Sequence, residues 1–136
     1  MSEQPENLGT LPQWIEKAEN DLRAAEHTLR MEKDCPFDTI CFHAQQCAEK
    51  YLKAFLVSRG VVFPKTHDLR ILLQLLSEDS NLGLPMSEVL PLNRYTIEAR
   101  YPGDWEPMDR EEAERAVAIA RRVRRAVRAH LPIEGE

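Results

Sequence analysis

The chain has 136 residues, of which 43% are hydrophobic and 30% charged, and its formal net charge is −5. That length suits one domain around one core, and the acidic balance argues against a general polyanion-binding surface. With only 5 glycines and few β-branched runs a strand-rich fold is disfavoured, and no run approaches the ~18 apolar residues of a membrane span.

Residues 1–10 are polar and are expected to form a flexible segment. From about Leu11 to Met31, Leu11, Ile15, Ala18, Leu22, Ala25 and Leu29 recur at spacings of three and four, which puts them on one face of a first helix. Trp14 widens that stripe. Thr10 with Gln13 has the form of a capping box, and Pro12 suits a first turn. After the Cys35-Pro36-Phe37 turn, a second helix is expected from about Asp38 to Arg59, stopping at Gly60. Its apolar face carries Ile40, Ala44, Cys47, Ala48, Tyr51 and Phe55. Phe42 and Leu56 fall off that face, which predicts a central helix that also meets a second subunit, with these two residues at the seam.

Val61 to Pro64 reads as an extended connector. Thr66 or Asp68 then caps a short helix containing Leu69, Ile71, Leu72, Leu73, Leu75 and Leu76. A further helical segment is expected from about Ser87 to Arg100, kinked or delayed by Pro91, before a turn at Tyr101–Asp104. The last helix spans about Asp109 to Leu131, with Asp109 and Glu112 at capping-box spacing and a stripe of Ala113, Ala116, Ala120, Val123 and Val127. Residues 132–136 form a tail. This order predicts an all-α fold, an antiparallel up-and-down bundle of four to five helices over residues 11–131.

Three clusters can carry chemistry. On the second helix, His43, Gln46, Lys50 and Lys53 share one side. Two ammonium groups beside an imidazole and an amide suit a phosphate or nucleotide. The plainer alternative, which these residues alone favour, is a solvated face in which Glu49 pairs with Lys53. Thr66-His67-Asp68-Leu69 is either a helix cap or, through free N–H groups, an anion site. Arg94-Tyr95 and Arg100-Tyr101-Pro102 offer guanidinium groups for phosphate and rings for stacking, or lock a turn through a carboxylate.

The last helix begins acidic and ends in Arg121, Arg122, Arg124, Arg125 and Arg128, a pattern that complements the helix dipole; the arginine-rich end also suits RNA. His43 and Cys47 stand at ligand spacing without two further ligands, so no metal is predicted, and no cofactor either. No nucleophile elbow or phosphate-cradling glycine loop is present. The odd set Cys35, Cys41 and Cys47, with no apolar leader ahead of it, predicts a reducing cytoplasmic setting.

Taken together, Trp14…Asp21-Leu22, the block Phe42-His43-Ala44-Gln45-Gln46-Cys47-Ala48-Glu49-Lys50-Tyr51-Leu52-Lys53, Thr66-His67-Asp68-Leu69, Arg100-Tyr101-Pro102 and the closing amphipathic helix resemble the HEPN domain family. The resemblance covers Leu11 to Leu131. It implies a small antiparallel bundle, usually a homodimer, with nucleotide or RNA dealings. It also implies a minimal nucleotidyltransferase as partner in a two-component or toxin–antitoxin pair. Carried over by motif, the implied nucleotide-contacting set is His43, Lys50, Lys53, His67, Asp68, Arg100 and Tyr101.

Ribonuclease members of the family carry Arg, four to six residues, then His near the start of the last long helix. Here Arg100 is followed by Tyr-Pro-Gly-Asp-Trp-Glu-Pro with no His. Arg124 and Arg125 do stand at that spacing before His130, but at the far end of the helix. A non-catalytic nucleotide-binding or nucleotidyltransferase-partner protein is therefore expected. The alternatives are a metal-independent ribonuclease toxin using Arg125 and His130, and a structural adaptor that only docks a protein.

Overall fold

The computed structural model of the chain describes residues 9–76, 82–96 and 107–131, and these are helical with connecting turns. In chain order they form α1 (Leu11–Thr28), α2 (Phe37–Ser58), α3 (Leu69–Leu76), α4 (Met86–Val89), a 3-10 segment (Leu90–Tyr95) and α5 (Arg110–Ala129). No helix among them is long and apolar enough to cross a membrane. The three cysteines are free thiols.

Local chemistry sets the helix ends. Thr10 and Gln13 close a full capping box: the Gln13 amide N–H donates to Thr10 Oγ1 (3.3 Å), and the Thr10 amide donates to Gln13 Oε1 (2.9 Å). At the end of α2, Gly60 takes φ +71°, a conformation that costs glycine little. Its N–H reaches Val57 O (3.1 Å) and that of Val61 reaches Leu56 O (2.9 Å), so two terminal carbonyls are satisfied. Asp109 caps α5 by accepting the Glu112 N–H at 2.8 Å.

Pro91 does more than delay a helix. The expected segment from Ser87 onward is one α-turn followed by the tighter 3-10 segment, with Pro91 in its first turn. A proline interior to an α-helix forfeits an i→i−4 bond, and the 3-10 form accommodates that loss. Residues 97–106, with Arg100 and Tyr101, lie outside the described residues.

The helix α2 is the axis of the bundle, packed along α1 on one side and α5 on the other. Its six expected core residues, Ile40, Ala44, Cys47, Ala48, Tyr51 and Phe55, are all fully buried, as are Ala113, Ala120, Val123 and Val127 of α5. Leu56 requires a correction. It is only 1% exposed and belongs to the chain's own core, so it cannot line a seam with a second subunit. The connector begins on Leu56 itself, through the Val61 N–H, and α3 packs back against α2. Phe42 stays partly exposed, edge-on to the His43 ring.

Directions follow from the cross-links. Arg110, the first residue of α5, donates to Leu29 O and Met31 O (both 2.7 Å) at the end of α1 and stacks over Phe37 at 5.1 Å. Further along α5, Arg121 meets Glu26 and Arg124 meets Glu19. The order along α1 is reversed, so α1 runs antiparallel to α5. It is antiparallel to α2 as well, since Asp21 meets His43 while Glu19 meets Tyr51. A cation on the terminal carbonyls of α1 also complements that helix's dipole.

The start of α3 is pinned from a distance. Asn93 Oδ1 accepts the Leu69 N–H (2.9 Å), and Asn93 Nδ2 donates to Asp68 Oδ1 (2.8 Å), which also accepts the Arg70 N–H (2.9 Å). Thr66 in turn accepts the Asp68 N–H at 3.0 Å, so of the two expected candidates Asp68 caps α3 and Thr66 braces the turn before it. The Asn93 hydrogen bond holds the Asp68 carboxyl below its usual range, with further help from Arg70 against partial burial. A lowered folded pKa means that Asp68 stabilises the fold above the ordinary aspartate range, near about pH 4, and that this contribution is lost as pH falls through the lowered value. Asn93→Ala should cost about 1–2 kcal/mol in urea unfolding at neutral pH. It should also flatten the acid-side loss of stability, measured as melts from about pH 5 downward.

Candidate functional site

The row His43, Gln46, Lys50 and Lys53 of α2 is only partly solvated, because its members are tied to buried carboxylates. His43 and Lys50 meet one buried carboxylate and Gln45, Gln46 and Lys53 another, forming two neighbouring clusters that tie α2 to α1 and to the turn before α3.

The first carboxylate is Asp21 of α1. It sits on the helix face that carries Leu22 and Ala25, and is 8% exposed. Its two oxygens divide between α2 partners about two helical turns apart: His43 Nδ1 at 2.8 Å and Lys50 Nζ at 2.6 Å. An ionised carboxylate only accepts, so the His43 Nδ1 must carry the proton. The Nε2 then lies on the opposite edge of the ring, and the side chain is 29% exposed.

The second carboxylate is Glu49, on α2 itself and 2% exposed. It accepts from Lys53 Nζ (2.8 Å), from His67 Nδ1 (2.9 Å) and from Gln45 Nε2 (3.0 Å). Gln45 Nε2 also donates to His67 O (3.3 Å), and Gln45 Oε1 accepts from Gln46 Nε2 (2.7 Å). Burying a carboxylate is costly unless its lone pairs are used, and here several donors supply that compensation. The Glu49–Lys53 pairing expected from i, i+4 spacing is thus present, but in the interior.

This geometry sets Lys53 apart from the nucleotide-contacting set. Its side chain is 7% exposed. The ammonium stands 5.4 Å from the Trp14 ring centroid and 5.8 Å from that of Phe63, and those rings meet edge to face at 6.2 Å. Carboxylate and rings together leave Lys53 no surface on which to meet a phosphate. Lys50, His43, His67 and Asp68 keep part of their surface, so four of the seven expected residues share the α1–α2–α3 side. The other two, Arg100 and Tyr101, lie outside the described residues.

A third cluster lies between α1 and α5. Glu19 accepts from the Tyr51 hydroxyl and from Arg124 Nε (2.6 Å), with Arg128 at 4.0 Å. Burial alone would raise the Glu19 carboxyl, but the Arg124 and Tyr51 hydrogen bonds outweigh it and hold Glu19 below its usual range. Burial, with the hydrogen bond to Glu19, pushes the Tyr51 phenol up to about 12. Beside this cluster is a cleft of about 330 Å³ lined by Glu19, Leu22, Glu26, Arg121, Arg124 and Arg125.

On α5, Arg125 faces that cleft, whereas His130 closes the helix with Nδ1 on Ala126 O (2.9 Å). Five residues along an α-helix rotate by ~500°, so the two side chains leave the axis about 140° apart. They are not brought to one reacting atom. Burial raises the Cys41 thiol to about 11 and shifts Cys47 upward as well, so neither is a ready nucleophile. No group of three metal-binding side chains occurs among the described residues.

Sequence reasoning does not single out Asp21, Glu49, Asn93 or Arg110 as site residues. Asp21 is the informative case: an acid on the apolar stripe of α1, one turn before Ala25, signals a buried partner on the next helix. Asn93 and Arg110 carry no such signal, because each acts on backbone far away in the chain.

The HEPN domain family model matches residues 11–130. A protein of Methanocaldococcus jannaschii described as a candidate toxin is 28% identical over 126 residues, covering 81% of this chain and 80% of its own. The crystal structure of TT1696 from Thermus thermophilus superposes with a TM-score of 0.70 at 30% identity, over 89% of this chain and 98% of that one. ST0689, an archaeal HEPN homologue, superposes with a TM-score of 0.66 at 24% identity, over 89% and 97% of the two chains, a likeness of fold alone. With the match running from the capping box of α1 to the end of α5, this chain belongs to the HEPN domain family.

Proposed function

We propose that this protein is a non-catalytic HEPN component of a toxin–antitoxin-like pair, working as a homodimer with a minimal nucleotidyltransferase and taking a nucleotide phosphate on the exposed edge of α2. The observation that carries the reading is the pairing of His43 and Lys50 on the single buried Asp21. It fixes an imidazole and an ammonium on the two oxygens of one carboxylate while each keeps part of its surface exposed. His67, held by Glu49 in the turn before α3, is a further member of the proposed set. Arg100 and Tyr101 complete the proposed set, Arg as a forked phosphate donor and Tyr as a stacking ring.

The toxin description of the Methanocaldococcus relative supports the pair-like role. The separation of Arg125 from His130 on α5 favours binding over RNA cleavage. Partly exposed Phe42 is the proposed anchor at the subunit seam.

Calorimetry with ATP, ADP and a short RNA tests the nucleotide reading. The wild-type protein should bind at least one of them. Lys50→Gln combined with Arg100→Gln should weaken that binding at least about tenfold with helical circular dichroism unchanged, since charge-assisted hydrogen bonds contribute on this scale. Glutamine at position 50 keeps a donor for Asp21, which guards the fold. Absence of heat with all three ligands would sink the nucleotide half of the proposal. RNA cleavage lost on His130→Ala would replace it with the ribonuclease reading.

A further inference from the structure

We infer that the cleft between α1 and α5 is a second anion site, which receives the phosphate group of a nucleotide through Arg121 and Arg125. It shares no residue with the α2 face and goes beyond the function proposed above.

Five of the six lining residues are charged, three arginines against two glutamates, so the cleft is locally positive on a chain whose net charge is −5. Arg121, Arg124 and Arg125 stand at i, i+3 and i+4, one face of α5. The glutamates orient two of these guanidinium groups without using them up. Arg121 binds Glu26 through Nε (2.7 Å) and Arg124 binds Glu19 through Nε (2.6 Å). The terminal amino groups of Arg121 are therefore not the atoms that hold its carboxylate.

Among the described residues Arg125 has no ion-pair or hydrogen-bond partner, and it is exposed at the rim of the cleft. Arg125 adds an unpaired positive charge one turn from Arg121, whose own charge is shared with Glu26 through Nε. A tetrahedral phosphate dianion satisfies both forks at once, which a single carboxylate does less well. Leu22, 6% exposed, gives the cleft an apolar floor. Its volume of about 330 Å³ exceeds the needs of a bare phosphate and falls at the lower end of small-ligand sites, so there is room for an attached sugar.

The test uses AMP, inorganic phosphate and adenosine as probes, with calorimetry on the full chain at about 50 mM salt to limit screening. AMP and phosphate should bind, adenosine should not, and AMP affinity should fall as salt is raised. Arg121→Gln with Arg125→Gln should lose at least about tenfold in affinity for both phosphate probes. Both side chains are at the surface, so the melting temperature should be nearly unchanged. Lys50→Gln with Arg100→Gln should retain phosphate binding in the cleft, which separates this site from the α2 face. An unchanged affinity in the double-arginine variant would overturn the assignment. So would adenosine binding as tightly as AMP, or no heat from either phosphate probe.

Discussion

Glu49→Ala is expected to lower the melting temperature by roughly 10–15 °C, the largest effect of any single polar substitution in this protein. The reason is asymmetry. Glu49 is the common acceptor for Lys53, His67 and Gln45, and its removal leaves a 7%-exposed ammonium without its anion. Breaking a buried pair from one side costs about 3–5 kcal/mol, because the remaining charge keeps its desolvation penalty and loses its compensation. Replacing both partners tells pairing from packing. Glu49→Leu with Lys53→Met should recover most of the lost stability, since two apolar side chains carry no unpaired charge into the interior. If the double variant is no more stable than Glu49→Ala, the ion pair is not what position 49 contributes.

Asp21→Ala is expected to follow at about 2–3 kcal/mol, less because Lys50 and His43 keep some contact with water. Urea unfolding measures that cost, and Asp21→Asn should show a smaller one, because the amide oxygen still accepts from one of the two donors. The functional consequence is sharper. In the proposed nucleotide site Asp21 would be a positioning residue, acting on a ligand only through His43 and Lys50. Its loss should weaken nucleotide binding on the α2 face severalfold even where melting shows a folded protein. The arginine cleft should be indifferent to it. An Asp21→Ala variant with wild-type stability and wild-type binding would contradict both roles.

Much of the architecture is legible in the sequence, because the apolar residues of α1, α2 and α5 recur at helical spacing and each stripe must be buried somewhere. Thr10 with Gln13, Gly60 and Asp109 mark helix ends through chemistry confined to a few neighbouring residues. What the sequence hides is non-local. Leu56 lies off the main apolar face of α2, and it is internal because α2 is packed by other elements on more than one side. Lys53 has the look of a surface lysine until Trp14, Glu49 and Phe63 converge on it from three parts of the chain. The 3-10 segment replaces an expected α-helix because Pro91 removes one backbone donor, a local cause whose outcome depends on what Leu92 and Tyr95 bury. For the site itself, the polar row on α2 is visible by spacing, whereas the carboxylates that orient it are hidden, one on another helix and one with the pattern of a surface pair.

Nitrogen-15 NMR of the histidine rings examines the central arrangement most directly. His43 and His67 should each carry a proton on Nδ1, hydrogen-bonded to a carboxylate and slow to exchange with water, and Asp21→Ala should abolish this signature for His43 alone. Addition of ATP should then move the His43 Nε2 resonance while its Nδ1 proton stays in place. Rings protonated on Nε2 and exchanging freely, with no response to Asp21→Ala, would show that the buried carboxylates do not hold the imidazoles and that the proposed ligand face is not organised as described.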